Sequence, residues 1–159
     1  MDHDLRQRFV TLYIGSMSSK TDKIALILAE LGLNECREDG VDGYYAGYFG
    51  CFNRGLFYEA HEVLEEIWQG QRGGPNGLFY KGLIQLAGAC VHLAKDRKGP
   101  AAALLRLART NLGRYPAAYE RLDVRGVLVL IDRWLGKLEA GGVNPLLEEG
   151  QPRMELLKG

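Results

Sequence analysis

Between Phe52 and Trp68 the chain gathers one histidine and four glutamates: Glu59, His61, Glu62, Glu65 and Glu66. His61 and Glu65 stand four residues apart, so on a helix they share a face and can reach one atom. The string His61-Glu62-x-x-Glu65 falls short of a metallopeptidase helix, which needs a second histidine where Glu65 stands. The Glu-x-x-His spacing of di-iron bundles is also missing, because Glu59 precedes His61 by only two residues. Two chemistries remain. A divalent metal held by His61, Glu65 and His92, with Glu62 as acid/base, would make a small hydrolase-like or redox enzyme. The simpler alternative is a hydrogen-bonded seam in which Lys81, Gln85 and His92 of a second helix meet His61 and Glu65. There a buried carboxylate has to be neutralised by Lys81 or by a histidine proton. The seam is the favoured reading, with no metal or other cofactor. Glu59, Glu62 and Glu66 then form a hydrated face, unless N-terminal helices cover it.

These residues need two helices to position them. Placed at about 100° per residue, Leu56, Phe57, Ala60, Val63, Leu64, Ile67 and Trp68 fall on one arc, and His61 and Glu65 lie at its edge. The spacing predicts an amphipathic helix over 56–69, with Trp68 as a packing anchor. The glycine-rich stretch 70–77 is a loop without the Gly-Lys-Ser/Thr ending of a phosphate loop. The next helix, 78–95, is apolar nearly all round, leaving a stripe of Lys81, Gln85, His92 and Lys95, so it belongs at the centre. Gly82 and Gly88 cost roughly 1 kcal/mol each in helix propensity, which implies close packing.

Around this pair the pattern is helical throughout. A short run over 5–14 and a helix over about 24–31, capped by Ser19 or Thr21 and stopped by Gly32, form an N-terminal addition within residues 1–40. A charged connector covers 34–43. The aromatic run Tyr44 to Phe52 is read as helix because no partner strand is evident, and Asn53-Arg54-Gly55 as a corner. Pro100 opens a helix that ends before Pro116. A helical turn over 117–122 leads to a last helix, 124–138. The tail from Gly141 is expected to be extended, tucking Leu146, Leu147 and Leu156 against the body. The fold class is all-α: a compact multi-helix array related to a four-helix bundle, with extra N-terminal helices and an extended tail. We expect one domain over 1–159, made of the 1–40 addition, a core at 44–116, final helices at 117–141 and the 142–159 tail.

Composition narrows the function classes. At 47% hydrophobic and 25% charged residues the chain has the makings of a buried core. Twenty basic and twenty acidic residues cancel, so no global field draws it to nucleic acid or an anionic membrane, and Arg106, Arg109 and Arg114 give only a modest basic edge. Cys36, Cys51 and Cys90 form no Cys-x-x-Cys pair and suit reduced thiols in a cytoplasmic protein. The N-terminus has no apolar signal-peptide core, and no apolar run is long enough to span a bilayer.

The run Phe52-Asn53-x-Gly55-x-x-x-Glu59-Ala60-His61-Glu62-x-Leu64-Glu65-x-x-Trp68 resembles the signature of the bacterial and archaeal family catalogued as domain of unknown function 309. Lys81-Gly82-Leu83-Ile84-Gln85-Leu86-Ala87, then His92, Gly99 and Ala101, look like its second block. The resemblance covers about Tyr45 to Pro116. It implies a compact helical array and no known reaction. The expectation is therefore a non-catalytic helical module that binds a protein partner or small ligand through the seam between helices 56–69 and 78–95. Self-association is another candidate role for its apolar surfaces.

Overall fold

A computed structural model describes residues 20–32 and 41–158 of the chain. Among them are seven helices and one two-stranded hairpin. In chain order these are α1 (Lys20–Glu30), α2 (Gly43–Asn53), α3 (Phe57–Gln71), α4 (Gly77–Ala94), α5 (Lys98–Leu112), β1 (Ala118–Tyr119), β2 (Leu122–Asp123), α6 (Val124–Glu139) and α7 (Pro145–Glu149). The fold is an all-α array, as the periodicity predicts. The expected helix over 5–14, the Ser19 cap, most of the connector and Cys36 lie outside the described residues.

α4 is the hub. It packs against α3 on one side and α5 on the other, and α2, α6 and α7 complete the array. Its Phe79, Leu83, Leu86, Ala87, Ala89, Cys90 and Leu93 are fully enclosed. Two glycines let α5 come close: a Cβ at Gly82 would lie 2.7 Å from Leu112 Cγ, and one at Gly88 3.3 Å from Leu104 Cδ1. α3 turns Phe57, Ala60, Val63 and Leu64 inward, as its arc implies. α1 packs on α2 and α3 through buried Ile24, Ile27 and Leu28. Thr21 lies inside its first turn rather than capping it.

The aromatic run is helical, as expected. Asp42 caps it, its carboxylate accepting from the Tyr44 and Tyr45 N–H groups. Tyr48, fully buried, donates its hydroxyl to the Leu83 carbonyl at 2.6 Å and so ties α2 to the hub.

Two expectations fail. Residues 117–122 are not a helical turn: Ala118 pairs with Asp123 and Tyr119 with Leu122 in an antiparallel hairpin. Its two-residue turn puts Glu120 at φ 48° and Arg121 at φ 58°, the left-handed geometry that suits the twist of paired strands. Distant groups hold it there. Tyr45 donates its hydroxyl to the Glu120 carbonyl at 2.7 Å, and Leu157 N–H donates to the Arg121 carbonyl at 2.6 Å. The tail is also not extended throughout, because Asn144 caps α7 through the Leu146 and Leu147 N–H groups, with Pro145 in the first turn. The helical twist then buries Leu146 and leaves Leu147 68% exposed, against the expectation that both tuck in. Beyond Gly150 the chain does run extended, with Met154 buried and Leu156 half-buried.

Candidate binding face along the central helix

Lys81, Gln85, Gly88 and His92 share one side of α4, within an arc of about 60° at 100° per residue. What flanks that side is given by the contacts. Lys81 Nζ sits 4.5 Å from the centre of the Trp68 ring on α3, a cation–π contact worth about 0.5–1 kcal/mol where solvent reaches it. Arg72 lies over the same indole at 5.5 Å. Gln85, only 8% exposed, accepts from Asn111 Nδ2 of α5 at 2.8 Å. Gly88 abuts Leu104 of α5. The stripe is therefore the floor of a face bounded by α3 and α5.

On α3, His61, Glu65 and Trp68 lie on one side of the helix. His61 Nδ1 is 3.8 Å from Glu65 Oε2, with both side chains partly buried. The Tyr58 ring stacks on His61 with centroids 6.1 Å apart. A hydrogen bond to the Glu62 carboxylate, and that group's charge, push the Tyr58 phenol above its ordinary value. With Trp68 opposite Lys81 and the two helices antiparallel, His61 comes level with about Gly88. Tyr58 and Leu107 mark the outer edges, 59% and 51% exposed.

The structure thus brings His61 to Glu65, and Lys81 to Trp68, but sends Gln85 to Asn111. Among the described residues neither Gln85 nor His92 bonds His61 or Glu65, because α5 approaches the side of the stripe that Gln85 faces. His92 Nδ1 is enclosed and has no hydrogen-bond partner among them. No three His, Cys, Asp or Glu side chains among the described residues come together as a metal-holding group, so His61, Glu65 and His92 are not assembled into one. Glu62 hydrogen-bonds Tyr58, and Glu59, Glu62 and Glu66 are each half-buried. Burial raises the Glu59 carboxyl above its ordinary value, its own backbone N–H opposes this, and the Glu62 charge adds to the rise.

Sequence reasoning missed Asn111, Leu104 and Leu107 as walls of this face. The signal was the apolar and polar spacing of α5 opposite Gly82 and Gly88. Of the expected basic edge, Arg106 pairs with Glu139 and Arg109 with Asp132 of α6, so both charges are locally neutralised. Cys51 and Cys90 are buried free thiols, each pushed up by burial and so far from a reactive thiolate. Among the described residues no helix is long and apolar enough to cross a membrane.

The face lies within a recognised segment. The family described as "Domain of unknown function (DUF309)" matches residues 45–112, which take in nearly all of α2 and the whole of α3, α4 and α5. The resemblance carried by the Phe52–Trp68 and Lys81–Ala87 blocks is met by that match. An "Uncharacterized protein" of Aquifex aeolicus (strain VF5) is 25% identical over 142 residues, covering 89% of this chain. The chain spans only 40% of that curated relative's length. No solved structure matches it.

Proposed function

We propose that the chain is a non-catalytic helical module that binds a protein partner across the α3–α4–α5 face. One observation carries this reading: α4, most of whose other side chains are buried, keeps one stripe of half-buried Lys81, Gly88 and His92, with buried Gln85 among them, between walls whose outer members, Tyr58 and Leu107, stand in solvent. Such a face combines an aromatic wall (Tyr58, Trp68), an aliphatic one (Leu104, Leu107) and polar groups at the floor, the mixture that protein interfaces favour. Trp68, held under Lys81, is an anchor already in position.

The test is affinity capture from extract of the source organism, with wild-type chain beside Leu107→Asp and Tyr58→Ala. Both positions are exposed, so both variants should melt at the wild-type temperature. The reading predicts a stoichiometric partner retained by the wild type and lost from both variants. A partner retained equally by all three, or none at all, sinks it.

A further inference from the structure

The corner Asn53-Arg54-Gly55 holds the C-terminal strap, residues 150–158, and it does so by reading main chain. Asn53 Nδ2 donates to the Met154 carbonyl at 2.7 Å, and Asn53 Oδ1 accepts from the Met154 N–H at 2.8 Å. That is the pair of bonds one residue of an antiparallel strand exchanges with the residue opposite, here supplied by a side-chain amide. Leu157 N–H adds a bond to the Arg121 carbonyl. Gly55, at φ +74°, takes a left-handed backbone that favours glycine, and the Gln151 side-chain amide lies over it, 2.6 Å from where a Cβ would sit. Met154, 6% exposed, is the most buried side chain of the segment, and Leu156 packs half-buried against the core. Along the strap Gln151, Arg153, Glu155 and Leu157 are exposed, and Arg153 pairs with Glu155 rather than with the body. Clefts of about 520 Å³ and 710 Å³ border the strap, the first against α6 and the second against α2.

We propose that this corner is a docking groove for an extended peptide, filled in cis by residues 151–157 and able to take an equivalent segment from another chain. The partner is an extended segment with a long, unbranched apolar side chain at the Met154 position, bound by strand-like main-chain bonds to Asn53. The seated strap shows what fits. Its hold is three bonds to its main chain, buried Met154 and half-buried Pro152 and Leu156, bordered by open clefts, so it can leave without the array unfolding. Asn53 and Gly55 lie within the family-matched residues, whereas the strap lies outside them. The Asn53 corner therefore goes with the matched core, whereas Arg121, α6 and the occupant do not.

The test uses a labelled peptide of residues Gln151–Lys158 titrated against the whole chain. In the wild type the cis strap competes, so apparent affinity is low. Met154→Asp releases the strap and leaves the groove intact, and it should bind the wild-type peptide about tenfold tighter or more. Adding Asn53→Ala should return affinity to the wild-type level or below. Equal affinity in wild type and Met154→Asp, or no effect of Asn53→Ala, overturns the proposal. Hydrogen exchange on the unaltered chain gives an independent reading. The Met154 and Leu157 amides should exchange at least about a hundredfold faster than those of α4. Exchange of strap and α4 at a common rate overturns it even where Met154→Asp fails to fold.

Discussion

Gly82→Ala and Gly88→Ala, made separately on α4, should move stability in opposite directions. In each the added methyl gains roughly 1 kcal/mol of helix propensity. At Gly82 that methyl would lie 2.7 Å from Leu112 Cγ, 3.0 Å from Leu112 Cδ2 and 3.4 Å from Asn111 Cβ. Carbon atoms rest about 3.5–4.0 Å apart, so α5 has to retreat by about 1 Å. Leu112 is fully buried at the end of α5 and has no room to turn. Overpacking of this kind costs about 1–3 kcal/mol, leaving Gly82→Ala about 1 kcal/mol less stable. At Gly88 the nearest atom is a terminal methyl, Leu104 Cδ1 at 3.3 Å, on a side chain that is only partly buried. A few tenths of an ångström of adjustment suffices, and Gly88→Ala should gain about 0.5–1 kcal/mol. Urea unfolding followed by circular dichroism reads both. In a Leu112→Ala background the Gly82 penalty should vanish, a coupling of about 1–2 kcal/mol. Equal effects at the two glycines, or a stabilised Gly82→Ala, would refute the close α4–α5 contact that sets Asn111 against Gln85.

Three further outcomes follow from the same geometry. Leu64→Ala, at a fully buried position, should lose about 2–5 kcal/mol in the same unfolding assay. Gln85→Leu deprives Asn111 of its acceptor and should cost about 0.5–1.5 kcal/mol; an unchanged melting temperature would count against that bond. Glu59 carries a pH signature. Its carboxyl is raised above the ordinary 4.5 chiefly by burial, so the folded chain holds its proton more tightly than the unfolded one. Stability is lost as pH rises from that ordinary value through the folded one. Glu59→Gln should therefore be the more stable at neutral pH, with the gap closing in acid, and parallel pH profiles would contradict this.

The helices that make the binding face are legible because each has a period. The arc Leu56 to Trp68 and the near-continuous apolar surface of 78–95 define α3 and α4 without help from the rest of the chain. The hairpin at Ala118–Asp123 has no such signal. Glu120 and Arg121 are poor residues for a left-handed turn, and what holds them is Tyr45, 75 residues away, and Leu157 from the strap. For α7 the cue is present: Asn144-Pro145 is an N-cap followed by a first-turn proline. A five-residue helix is too short to show a period, and the prolines alone suggest extended chain. Within the face, spacing places Lys81, Gln85 and His92 on one stripe. It does not say which neighbour each reaches, since that depends on where α5 settles, and α5 settles by way of Gly82 and Gly88.

The reading of the face as a non-catalytic contact surface is tested most directly by metal analysis of the whole chain purified without an affinity tag, beside His61→Ala. The account predicts metal well below one equivalent in both, with the same fold and melting temperature. One equivalent of metal in the wild type, lost from His61→Ala, would contradict it and make His61, Glu65 and His92 a metal site.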